Sequence, residues 1–237
     1  MKKLIILLLL SLIDNSTFGQ KHLFRIMNDS TIIRKENNLV IQDFEKRIKK
    51  IDKSIDFRGL KTVVKDSMLA GMYLPSNNRI YLSPWHTTPA IGFEFCTRVM
   101  GSKAEGEKLA AMFFYGFFLP HEVAHGLQFY AKVRKDNEYD NEYEANVIAL
   151  LYWKKRGKNK EMAECYKIAK KAVSQLKNPF PENVDVKKYF TTHYEEMGQN
   201  LHQYGYVQLD QIVKIFEDKN LPDFDKYMKH NIYKKSN

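Results

Sequence analysis

Cysteine is almost missing from this chain, with only Cys96 and Cys165 among 237 residues. Neither has the spacing of a zinc ligand, which excludes a thiolate metal site and leaves either one disulfide or two separately buried thiols. Internal repeats and low-complexity tracts are also lacking, and with 44% hydrophobic and 13% aromatic residues a disordered chain is excluded. The formal charge of +10 is dispersed over many lysines, with no basic block interleaved with aromatics in a recognisable module. Dispersed charge of this kind describes a solvated surface, and no nucleic-acid partner is expected.

A long membrane-spanning run is lacking too. The apolar stretch from Leu4 to Ile13 is ten residues, half of the roughly 20 that a hydrocarbon core requires. Two lysines precede it, and polar residues and the small-residue site Thr17-Phe18-Gly19 follow. That order predicts a secretory signal peptide over residues 1–19, cleaved after Gly19, hence a secreted or periplasmic protein with no stable membrane insertion after cleavage. No cysteine near the cleavage site invites lipoprotein processing. The length suits a single domain over residues 20–237, in which the stretch from Gln20 to Asn38 is a candidate pro-segment.

Helical periodicity is expected from Leu39 to Ile55, with Val40, Ile41, Phe44, Ile48 and Ile51 on one face. LKTVV, MYLP and RIYLSP read as strands, the last two joined as a hairpin through Ser76-Asn77-Asn78. Residues 88–100 are ambiguous. Residues 104–133 read as one helix or two joined near Pro120, and Asp140 to Lys155 as a helix stopped by Arg156-Gly157. Further helices are expected at 160–176, 186–203, 207–218 and 223–231, with Asn178-Pro179-Phe180-Pro181 as a loop.

Within the apolar run FFLPHEVAHGLQFY lie His121, Glu122 and His125. Histidines four apart share one helical face, where two ring nitrogens meet a single tetrahedral zinc, and the intervening Glu122 is placed as general base for a zinc-activated water. Polar side chains in such a run would be costly without a common partner. A third protein ligand is expected on the next helix. Glu142 shares a stripe with Ala145, Ala149 and Tyr152, whose small members permit close helix approach, and Asn146 one turn on is placed to hydrogen-bond a ligand histidine. Glu142 is therefore preferred, and Glu144, on the stripe of Val147, Ile148 and Leu151, is the alternative.

HEVAH followed by NEYEAN resembles the gluzincin metallopeptidases, in which HExxH is completed by a downstream glutamate, and specifically HtpX-like, CAAX-prenyl-protease-like and ImmA/IrrE-type domains. The resemblance implies zinc held by His121, His125 and Glu142, with Glu122 as catalytic base and Asn146 replacing the more usual Asp. It covers about Gly71 to Trp153. It also implies a zincin-like α+β fold: a small mixed sheet with a hairpin packed on metal-binding helices. The zinc core would span about residues 60–157 and a helical C-terminal subdomain about 158–237. In such enzymes the last strand of the hairpin is the sheet edge beside the metal, so the implied partner is a peptide or protein substrate bound as an extended strand. A Tyr or His from the C-terminal segment would complete the site, for which Tyr204 and His202 are the candidates. The rival readings are a zincin-fold binding protein without hydrolysis and a zinc hydrolase of non-peptide amides.

Overall fold

The computed structural model describes residues 23–68 and 71–233, so the expected signal peptide lies outside the described residues. Helix α1 (Ser30–Ile51) opens where the Asp29 carboxylate accepts hydrogen bonds from the Thr31 and Ile32 N–H groups at 2.8 and 3.0 Å. It begins well before Leu39 because its inner face buries two polar residues, Glu36 and Asn37, among Ile33, Val40, Ile41, Phe44 and Ile48, which hides the apolar period. It ends before Ile55 because Asp52 turns its carboxylate onto the Ser54 N–H and hydroxyl, 2.8 and 2.6 Å, and pulls the chain out of the helix. Leu23, Met27 and Ile33, all within the candidate pro-segment, are buried in the core.

Strands β1 (Lys61–Val64), β2 (Met72–Leu74) and β3 (Arg79–Leu82) form a mixed sheet in the order β1-β3-β2. β1 runs parallel to β3, with Thr62 opposite Ile80, and β2 runs antiparallel, with Tyr73 opposite Ile80. The last strand is thus central, not the edge. A β1 arriving from before the hairpin takes its free side and packs on α1, and β2 becomes the other edge. Asn78 closes the hairpin turn with φ of 56°, a left-handed conformation that Asn tolerates, and its amide donates to the Phe57 carbonyl at 2.6 Å.

The ambiguous stretch is helix α2 (Ala90–Met100), ended by Gly101 at φ 84°. Helix α3 (Lys103–Ala110) passes through a π-helical turn, Ala111–Phe117, into α4 (Phe118–Tyr130). Pro120 sits in the first turn of α4 and has no N–H for the carbonyl of Gly116. The indole N–H of Trp153 takes that place at 3.2 Å, so the wide turn is satisfied from helix α5 (Glu138–Lys155). Asn137 caps α5 through the Asp140 N–H at 2.8 Å.

Helices α6 (Asn159–Gln175), α7 (Val186–Thr192), α8 (Tyr194–Gln199), α9 (Leu201–Glu217) and α10 (Phe224–Tyr233) complete the described chain. The single helix expected over 186–203 is broken at His193 and again at Asn200, where the Asn200 side chain accepts from the N–H groups of His202 and Gln203 and starts α9 anew. Gly205 does not interrupt α9. It lets α9 approach α2, since an added Cβ would lie 2.8 Å from the Phe95 ring. One apolar core runs from Leu23 to Met228, and a smaller cluster joins Tyr139, Phe190, Met197 and Val207. Cys96 on α2 and Cys165 on α6 are separately buried free thiols; burial raises the Cys96 thiol to about 12. No helix among the described residues is long and apolar enough to cross a membrane.

Asp43 fastens α1 to α5. Its carboxylate accepts from Arg47 Nε (2.8 Å), Arg156 Nη1 (2.7 Å) and the Tyr152 hydroxyl (2.9 Å). Burial alone would raise its pKa, but the hydrogen bond from Arg47 and the charges of Arg156 and Arg47 lower it below the ordinary value. A carboxylate whose folded pKa is depressed stabilises the fold fully above its unfolded pKa, about 3.9, and loses that contribution as pH falls through the folded value. Asp43→Asn should therefore cost on the order of 2 kcal/mol at pH 7, and the gap to the parent should shrink in acid. Urea unfolding at pH 7 and pH 3 measures it; a gap that does not change with pH would refute the assignment.

Candidate metal centre

Helices α4 and α5 pack against each other, and both carry small, fully buried residues, Ala124 on one and Ala145 and Ala149 on the other. That contact brings His121 and His125 of α4 against Glu142 of α5. The two histidine Nε2 atoms are 3.0 Å apart, and Glu142 Oε2 lies 3.3 Å from that of His121 and 3.5 Å from that of His125. Ligands about 2.0–2.1 Å from a tetrahedral zinc are separated by roughly 3.3 Å, the edge of that tetrahedron. The three donors already stand at that spacing. Their side chains are 3%, 20% and 2% exposed in the order His121, His125, Glu142, so the cluster opens to solvent on the His125 side.

The outer nitrogens decide which way the inner ones face. Gln128 donates an amide N–H to the Asn141 carbonyl at 2.9 Å, so its own oxygen must face His125 Nδ1, also at 2.9 Å. Gln211 donates to the Tyr139 carbonyl at 3.1 Å, so its oxygen receives the Asn146 amide at 3.0 Å, and the Asn146 oxygen is left for His121 Nδ1 at 2.9 Å. Each chain of amides ends on a backbone carbonyl, which cannot donate. Both histidines must therefore carry a hydrogen on Nδ1 and, when neutral, point an Nε2 lone pair at the other and at a carboxylate. Three acceptors converging within 3.5 Å in a buried site need a cation between them. A proton is the minimal one: burial lowers His125, but the charge of Glu142 overrides this and raises it to about 9. Burial would raise Glu142, yet the histidines hold it well below the carboxylate range. A divalent metal serves the same need with better geometry, and these buried residues lie close enough to bind one.

Glu122 points to the sheet edge. Its Oε2 accepts the backbone N–H of Tyr73 in β2 at 2.7 Å, which fixes the carboxyl beside the cluster. Burial pushes its pKa upward, partly opposed by His121 and His125. The C-terminal helices close the far side. Gln208 of α9 donates to Glu142 Oε2 at 2.7 Å and accepts from Asn146 at 2.8 Å. The Tyr194 hydroxyl donates to Glu142 Oε1 at 2.7 Å. Tyr204 lies beside both, its phenol raised well above the ordinary range by burial and then by Glu142.

Of the expected residues, His121, Glu122, His125, Glu142, Asn146 and Tyr204 come together. His202 does not: it is exposed, edge-on to Phe95 at 5.2 Å and beside Arg98 and Gln175. It sits two residues before Tyr204, and on a helix that spacing turns the two side chains to different faces. Glu144 is engaged elsewhere, by Gln128 at 3.1 Å and by Lys135 at 3.1 Å. Gln128, Gln208 and Gln211 escape the sequence reading, and Tyr194, one of the C-terminal donors in the sequence, is hydrogen-bonded to Glu142 although the sequence favours Tyr204 and His202. The available signal was polar residues on an apolar helical face, Gln208 and Gln211 among Val207, Leu209, Ile212 and Ile215. No protein-family model, curated protein or solved structure matches this chain.

Proposed function

We propose that this protein is an exported zinc metallopeptidase of gluzincin type. The observation that carries the reading is the convergence of His121 Nε2, His125 Nε2 and Glu142 Oε2 at tetrahedral spacing, with Glu122 held on the adjoining sheet edge. Two imidazoles and one carboxylate are the donor set of a catalytic zinc, which when bound supplies Lewis acidity that makes water acidic near neutral pH. Glu122 takes the proton of the attacking water and returns it to the leaving amine. Burial raises its pKa above the ordinary carboxylate value, which makes it a stronger proton acceptor than an exposed glutamate. Tyr204 presents a neutral hydroxyl to the oxyanion, while Tyr194 and Gln208 hold Glu142 in place. The substrate is an extended peptide bound beside β2, the short edge strand next to the site, without use of the Tyr73 N–H, which Glu122 already holds.

The near-complete burial of His121 and Glu142 favours a second reading, in which the same metal serves a smaller amide substrate or only stabilises a binding fold. One experiment separates these. The purified protein should contain about one equivalent of zinc and should cleave unfolded proteins or a peptide library, with cleavage abolished by a chelator and restored by zinc. Zinc without peptide cleavage would transfer the site to the second reading; no zinc uptake at all would end both.

A further inference from the structure

We infer that Glu144 is a positioning residue for His125, acting through the side-chain amide of Gln128. The inference rests on the metal reading of the site, not on peptide hydrolysis. An amide side chain has nearly the same shape either way round, so Gln128 keeps its oxygen on His125 only if its NH2 group is held by acceptors. One N–H goes to the Asn141 carbonyl at 2.9 Å, and the NH2 also reaches Glu144 Oε2 at 3.1 Å. A flip would set the Gln128 oxygen against a carboxylate and a carbonyl, and its NH2 against the His125 Nδ1–H. The alternative escape is for His125 to move its hydrogen to Nε2, where it would occupy the position a metal needs.

Glu144 is itself built in. It is 4% exposed, and its second oxygen pairs with Lys135 Nζ at 3.1 Å. Lys135 is anchored in turn: its N–H donates to Asn141 Oδ1 at 2.7 Å and its carbonyl accepts from Asn141 Nδ2 at 3.3 Å. Both Glu144 oxygens are thereby engaged, which argues against its use as a spare ligand. The chain behind His121 carries its carboxylate one link further out: the Asn146 NH2 goes to the neutral oxygens of Gln208 and Gln211, and Gln208 in turn donates to Glu142. Only behind His125 does a carboxylate hold the amide that touches the ring. The His125 side chain is 20% exposed against 3% for His121, so water competes for its ring nitrogens. A hydrogen bond to a charged acceptor is roughly twice as strong as a neutral one, and outer partners of metal-bound histidines typically change affinity by about 10–100-fold.

The test compares zinc affinity and the solvent exchange of the histidine Nδ1–H protons, read by nitrogen-15 NMR in metal-free and zinc-loaded protein. Glu144→Leu should weaken zinc binding by about 10–100-fold and speed exchange at His125 but not at His121. Glu144→Gln keeps a neutral acceptor for Gln128 without the charge and should recover only part of both properties, falling between the parent and Glu144→Leu. Should the Leu variant fail to fold, Gln128→Met removes the same link with Glu144 intact and should reproduce the loss. Parental affinity and unchanged His125 exchange in folded Glu144→Leu, or in Gln128→Met, would overturn the proposal. So would a Glu144→Gln variant that loses zinc as completely as a Glu142 variant, since Glu144 would then be a ligand. Parental protein that binds no zinc would count against the metal reading, and the exchange at His125 in metal-free protein would still decide the positioning role.

Discussion

A Glu122→Gln variant is expected to fold, to take up metal like the parent, and to hydrolyse peptides about 10²–10⁴-fold more slowly, the range a general base contributes. The side chain keeps its shape, and an amide oxygen still accepts the Tyr73 N–H that holds Glu122 at 2.7 Å. Burial already disfavours the charge at this position, so a neutral amide removes a desolvated group without opening a cavity. Only the capacity to carry a proton is lost. Metal analysis, a thermal melt and a peptide-cleavage assay read the three parts separately. Unchanged cleavage would remove Glu122 from the mechanism, and loss of metal would make it part of the binding site instead.

The part of this site that was legible in the sequence is the part built by local geometry. His121 and His125 meet because a helix returns to the same face after four residues, whatever the rest of the chain does. Glu142 was separable from Glu144 by the alanines on its stripe, and Asn146 followed one turn later, its oxygen 2.9 Å from His121 Nδ1. What was illegible depends on distant chain. Gln208 and Gln211 come from more than 60 residues beyond Glu142 and Asn146, and nothing nearby says that two buried amides will meet the residues around His121, His125 and Glu142. The same holds for strand order: the hairpin was readable from its turn, but that β3 is central follows from a pairing with β1 outside the hairpin. The break at Asn200 turns on a cap against continued helical pattern, a local contest that Asn200 wins by accepting two N–H groups.

The π turn before α4 shows how fold and site are joined. Pro120 deprives the Gly116 carbonyl of its helical donor, and Trp153 at the end of α5 replaces it. Glu142 lies three turns earlier on that helix. The anchor that satisfies the irregular turn therefore also fixes α5 relative to the histidines. Gly116 is required there, since an added Cβ would fall 2.2 Å from the Phe24 ring. Pro120, Gly116 and Trp153 thus act together to hold α4 and α5 at the distance that brings His121 and His125 against Glu142.

Removing the carboxylate charge should have the largest effect on binding. In Glu142→Gln, zinc affinity should fall more than 100-fold, beyond the roughly 10–100-fold associated with outer partners, because a neutral amide is a poor zinc ligand and its NH2 would face two nitrogens. The metal-free protein reports the same charge by another route. His125 is raised to about 9 chiefly by Glu142, against the lowering effect of burial. A histidine raised in this way stabilises the fold fully below its unfolded pKa, near 6.5, and loses that contribution as pH rises through about 9. In the parent at pH 7, zinc must therefore displace about one proton, measurable by titration calorimetry in buffers of different ionisation enthalpy. In Glu142→Gln that proton should no longer be bound at pH 7, and the loss of metal-free stability between pH 6.5 and 9 should flatten. Equal zinc affinity in the two proteins, or no proton release by the parent, would mean that this carboxylate does not close the site.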